Sequence, residues 1–145
     1  MNFDFEQFWR GNREEAWPKS LILCLFTGPK LPNYSAQMPR EPAPRIGDVF
    51  DHNFLNLYRN ALWLNSSVHD GAVMIGRSVP SAPYAIMGWS YRLFPPKVHG
   101  LEIANRGSAT NSCIAMSLVE GVDATYKITD GHLLRFVRGQ MAEVG

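Results

Sequence analysis

Two short stretches hold the side chains whose types and spacing suit chemistry. In "LNSSVHDGAVMIG" (64–76), Asp70 and Gly71 stand directly before an apolar run that opens on Ala72, with His69 beside them. A glycine lets a ligand approach the main chain, and an adjacent carboxylate can accept a hydroxyl or hold a metal ion. An Asp-Gly pair is equally an ordinary turn between a helix and a strand. In "RGSATNS" (106–112), Gly107 precedes a predicted helix whose opening amides have no intrahelical partner. Such a terminus attracts anions. Ser108, Thr110, Asn111 and Ser112 would add neutral donors there, and Arg106 a cation one step outside. Capping by Ser108 alone would explain the same serine.

Other chemistries find no support. The histidines (His52, His69, His99 and His132) and the cysteines show no CxxC, HxxxH or HExxH spacing, which argues against a dedicated zinc site. There is no GxSxG elbow and no Walker loop. The chain has 145 residues, 46% of them apolar and 19% charged, which predicts one globular domain. A net charge of +1 without a basic patch makes DNA or RNA an unexpected partner. A folded surface could still gather Arg77, Arg92 and Arg106 around a small anion. Cys24 and Cys113, far apart in apolar surroundings, are expected to be buried free thiols. No apolar run approaches the roughly 18 residues of a membrane span. The acidic, aromatic start "MNFDFEQFW" lacks the basic region of a secretory signal, so the expectation is a cytoplasmic protein with no membrane partner.

"NSSVHDGAVMI" resembles the segment that carries the Asp-Gly-Ala motif of the diadenylate cyclase family, where it reads like "SPLHDGAVII". Further along, "GSATNSCIAMS" can be laid without a gap on that family's "GTRHRAAVGIS" motif. Gly107 then falls on the family's glycine, Ser108 on its threonine, and Ile114, Met116 and Ser117 on its apolar-apolar-serine tail. The resemblance covers about residues 48 to 140 and leaves the part of the chain before it unmatched. Ala109, Thr110 and Asn111 stand where the family has the arginine-histidine-arginine that meets the triphosphate of ATP. Phosphodiester formation needs cations on the transferred phosphoryl group and its leaving pyrophosphate, so two lost guanidinium groups weaken that chemistry severely.

The resemblance therefore implies a degenerate, sensor-type member that binds a nucleotide or nucleotide-derived second messenger without turning it over. Asp70, Gly71 and Ala72 would meet the ribose or base. Gly107, Ser108, Thr110 and Asn111 would line the phosphates, with Arg106 nearby. Mg²⁺ or Mn²⁺ would arrive with the nucleotide, through Asp70. The rival readings are a divergent metal-dependent cyclase that draws arginines from elsewhere, and a protein-interaction module. The family's cyclases work face to face across two subunits, which also leaves a homodimer open.

The elements that must position these residues read as an α/β domain, a single mixed, twisted sheet flanked by helices. Residues 1–47 comprise an aromatic segment, a strand and a proline-rich loop; residues 48–145 comprise the part that resembles the cyclases. Phe3, Phe5, Phe8, Trp9 and Trp17 belong to a short helix or arm capped by Asp4, whose rings would either close the core or meet a partner. "SLILCLFTG" reads as a strand buried on both faces. Pro29, Pro32, Pro39, Pro42 and Pro44 then predict a long irregular connection, functional or mobile. Phe50, Phe54, Leu57, Ala61 and Leu64 predict a helix from about Asp48, capped by Asp48 or Asp51. Strands follow at "GAVMIG" and at 83–94, then the helix after Gly107, then a hairpin turning on Asp130-Gly131.

Overall fold

The computed structural model describes residues 3–97 and 107–145. Its elements in chain order are α1 (Phe5–Gly11), β1 (Ser20–Thr27), β2 (Ser35–Gln37), α2 (Phe54–Leu64), a 3₁₀ turn (Ser66–His69), β3 (Ala72–Arg77), β4 (Ala85–Leu93), α3 (Ser108–Met116), β5 (Val122–Thr129), β6 (His132–Val137) and β7 (Gln140–Val144). All seven strands form one sheet in the order β2-β4-β3-β1-β5-β6-β7. β1 runs parallel to β3 and antiparallel to β5, so the sheet is mixed and the domain is α/β.

β1 lies at the centre of the sheet, although it belongs to the part of the chain before the cyclase-like stretch. Its alternation explains both layers. Leu21, Leu23 and Leu25 join Val73, Ile75, Phe54 and Tyr58 in the larger core under α1 and α2. Ile22, Cys24 and Phe26 face the other way, packing with Ala72, Met74 and Met116, and α3 closes that side. A strand covered on both faces has to be apolar at consecutive positions, which is why "LILCLF" shows no polar residue.

The first segment is part of the core. Asp4 Oδ1 accepts the amide of Gln7 at 3.1 Å and caps α1. Phe5 and Trp9 are buried, with Phe3, Phe8 and Trp17 packed against the same cluster. Glu6 fastens the helix to the sheet, accepting the Tyr126 hydroxyl at 2.6 Å and Arg135 Nη1 at 2.8 Å.

Three local expectations change. α2 begins at Phe54, after a turn at 51–53, because main-chain contacts hold residues 48–50 extended: Ile86 N donates to Asp48 O at 2.8 Å, and Phe50 N to Tyr84 O at 2.9 Å. Asn53 takes the cap position, while Asp48 pairs with Arg45 and Asp51 Oδ1 accepts the Asn53 amide. The proline-rich stretch contains β2, whose Ser35–Gln37 pair with Leu93–Tyr91 of β4. The terminal hairpin is extended by β7, after a second tight turn at Arg138 (φ 49°) and Gly139 (φ 79°).

Both thiols are buried and free. Burial pushes the Cys113 thiol up to about 12, and burial raises Cys24 as well. Thiolate is the reactive form, so neither cysteine should react with a thiol reagent in the folded protein. The expected result is two equivalents titrated in denaturant and none without it. Fast labelling of the native chain would show that α3 opens from the sheet.

Candidate functional site

β1 and β3 are parallel and in register, Ile22 opposite Ala72, and Ala72 lies opposite Tyr91 of β4. These three positions sit near the amino ends of β1 and β3, where the 3₁₀ turn delivers Asp70 and Gly71. A cleft of about 440 Å³ opens there. Asp70, Gly71 and Ala72 line one side of it and Ser108, Ala109 and Ser112 of α3 another, with Arg92 and Met38 also on the wall. The two stretches of sequence, far apart along the chain, thus border one hollow.

Each residue singled out from the sequence has a definite place. The Asp70 carboxylate is largely exposed on the rim, 3.8 Å from Arg40 Nη2, and its carbonyl accepts the Ser90 hydroxyl. Gly71 has φ +93°. A Cβ on it would lie 2.6 Å from Met38 Cε and 2.9 Å from both the Ser90 carbonyl carbon and the Tyr91 carbonyl oxygen. The close approach that this glycine permits is therefore made by β4 and Met38 of the protein itself.

On α3, Gly107 takes the cap position (φ 85°), and among the described residues no side chain caps the helix, so Ser108 does not close off its opening amides. Ser108 and Ala109 reach the cleft. Thr110 is buried, and its hydroxyl accepts Lys127 Nζ at 3.1 Å from the sheet below. Gly107 and Asn111 flank the lining residues. Arg106 and His99 lie outside the described residues. Arg77 is at the other end of β3, where Nε donates to Thr27 Oγ1 at 2.9 Å and the guanidinium stacks on Tyr84 at 4.3 Å. Only Arg92, of the two described arginines expected around an anion, lines the cleft.

The sequence reading missed Met38, Arg40 and Lys127. Nothing local marks them: strand pairing brings in Met38 and Lys127, and a hydrogen bond to Ser90 brings in Arg40. Met38 N donates to Ser90 O at 3.0 Å just beyond β2, and Lys127 pairs with Ile22 across β1 and β5. His69 Nδ1 lies 2.8 Å from the Ser66 carbonyl, an acceptor, which places the proton on that nitrogen. Among the described residues one carboxylate lines the cleft, and no cluster of three His, Cys, Asp or Glu suited to a metal occurs. These protein groups alone are too few for a resident Mg²⁺ or Mn²⁺.

No protein-family profile matches the sequence, and no curated protein matches it. Among solved structures, the chain is similar to a hypothetical membrane spanning protein from Bacillus cereus, at a TM-score of 0.61 and 11% identity over 97% of this chain. It spans 59% of that protein's length. No helix among the described residues here is long and apolar enough to cross a membrane. The chain is also similar to DacA from Staphylococcus aureus, in a double-mutant form, at a TM-score of 0.59 and 13% identity, covering 97% of this chain and 83% of that one. At these identities the likeness is one of fold: the chain has an α/β fold similar to that of DacA, a diadenylate cyclase.

Proposed function

We propose that this domain binds a nucleotide or a nucleotide-derived second messenger in the cleft between Asp70 and α3, without turning it over. The observation that carries the reading is that one cleft is lined both by Asp70–Ala72 and by the opening turn of α3. A ribose hydroxyl can donate to the exposed Asp70 carboxylate, while phosphate oxygens accept the amides at the start of α3.

The electrostatics support an anion on that side. A helix N-terminus is the positive end of its dipole, so a lysine beneath it is unfavourable on its own. Lys127 nonetheless donates into the first turn of α3, and a bound phosphate would offset both positive potentials. The cyclase chemistry is a different matter. Ala109, Thr110 and Asn111 supply no cation where the family has its arginines, and Lys127 and Arg92 do not reproduce a paired guanidinium clamp. Any divalent ion would be carried in by the nucleotide, and Asp70, the one carboxylate lining the cleft among the described residues, could serve either that ion or the ribose.

The test is a thermal melt with ATP, ADP, GTP and cyclic dinucleotides. A ligand at about a hundred times its Kd contributes about 2.7 kcal/mol, or about 5–10 °C for a domain of this size. Asp70→Asn should abolish the shift while leaving the free protein's melting point in place, since its side chain is exposed. Incubation with ATP and manganese should yield no cyclic product on chromatography. A flat melt across the whole panel would overturn the reading.

A further inference from the structure

We propose that Arg40 is the positioning residue of this cleft, holding Asp70 and Gly71 in place from the proline-rich segment through Ser90. Its effect on affinity rests on the nucleotide-binding reading; its effect on the geometry of residues 69–72 does not.

Arg40 lies in a stretch that its prolines would leave exposed, yet its side chain is only 17% accessible. Nε donates to Ser90 Oγ at 2.9 Å, and Nη1 to the Pro39 carbonyl at 2.9 Å. Nη2 points to the Asp70 side, 3.8 Å from Oδ2 and 3.7 Å from Met38 Sδ. The Ser90 hydroxyl accepts from Arg40 and donates its single proton to the Asp70 carbonyl at 2.5 Å. Arginine, serine and aspartate thus form a directed relay with each group used in its proper sense.

The backbone is arranged to make that relay. Ser90 is buried and has φ +61°, a left-handed conformation rare for a residue with a side chain. It sits where the pairing of β3 with β4 slips register between Ala72 and Met74. Bulges of this kind turn a side chain away from its regular direction. Here Ser90 is turned to the Asp70 carbonyl, and its own carbonyl accepts Met38 N at 3.0 Å. Met38 in turn fills the space beside Gly71.

The remaining contacts fix the segment itself. β2 pairs with β4, Asn65 Nδ2 donates to Pro42 O at 3.1 Å, and Trp89 Nε1 to Arg45 O at 2.9 Å. The proline-rich stretch is therefore a strap tied at both ends, and Arg40 is the point where it grips the cleft. A rim carboxylate beside open solvent would otherwise sample several rotamers. The guanidinium favours those that keep it next to Arg40, at the mouth where a hydroxyl-bearing ligand would enter.

Amide hydrogen exchange on the full chain, with nucleotide titration alongside, tests the assignment. In Arg40→Ala, exchange in residues 69–72 should rise at least tenfold while the β5–β6 hairpin is unchanged, and affinity for any nucleotide found in the melt panel should fall about tenfold. Arg40→Lys can reach Ser90 or Asp70 but not both, so it should recover part of each effect. It also serves as the working variant if Arg40→Ala does not fold. Ser90→Ala should reproduce the exchange pattern with the guanidinium intact. Unchanged exchange at 69–72, or a rise spread evenly over the sheet, overturns the proposal. If no nucleotide binds the wild type but exchange rises locally, the nucleotide reading fails and the positioning role of Arg40 stands.

Discussion

Gly71→Ala is expected to destabilise the domain by about 2–5 kcal/mol, a large share of the roughly 5–15 kcal/mol that holds a domain folded. Two costs combine. The residue has φ +93°, where an L side chain is strained, and its Cβ would lie 2.9 Å from backbone atoms of Ser90 and Tyr91. Met38 Cε, at 2.6 Å, is the end of a flexible chain and can swing aside; the β4 backbone, paired to both β3 and β2, cannot. Gly131 provides the control. It has φ +81°, but a methyl group there would meet nothing within 4 Å among the described residues, so Gly131→Ala should carry the conformational cost alone, about 1–2 kcal/mol. Urea denaturation of both variants measures the difference. Equal losses would mean that the approach of β4 to Gly71 contributes nothing.

That comparison bears on how the Asp-Gly pair is read. From the sequence, the glycine invites a ligand against the main chain. In the fold, the invitation is taken up by Ser90, Tyr91 and Met38, while Asp70 beside it keeps its carboxylate on the cleft rim. Gly71 is thus packed against β4 on its Cβ side while its main chain lines the cleft beside the Asp70 carboxylate.

The legible parts were those whose signal is local. "LILCLF" announced a strand covered on both faces, Asp4 a helix cap, and Asp130-Gly131 a tight turn (φ 48° and 81°). What escaped depends on partners distant in sequence. Val49 bridges Ala85, so 48–50 stay extended despite a helical spacing of apolar residues from Phe50 onward. β2 has three residues among prolines and exists because β4 offers it an edge. β7 is mostly exposed, so it lacks the alternation that marks a half-buried strand. The candidate site follows the same rule. Asp70 and Ser108 could be named from their neighbours, whereas Arg40 and Lys127 acquire their positions through Ser90 and Ile22.

Trp9→Ala should cost about 3–5 kcal/mol and lower the melting point by about 10 °C. Trp9 is fully buried, its ring 5.0 Å from Trp17, inside the cluster that joins α1 to the sheet. Removing it leaves a cavity that neighbouring rings, each already in contact with others, can fill only in part. Its Nε1 has no hydrogen-bond partner among the described residues, so the indole N–H is desolvated without return. Trp9→Phe removes that cost along with part of the ring and should lose much less than Trp9→Ala. The pair of variants also weighs the rival reading of the first segment as a partner-binding arm. An arm would give the opposite pattern: a melting point unmoved by Trp9→Ala, with a change in oligomer size on gel filtration. A core helix lowers the melting point and leaves the size of the folded species alone.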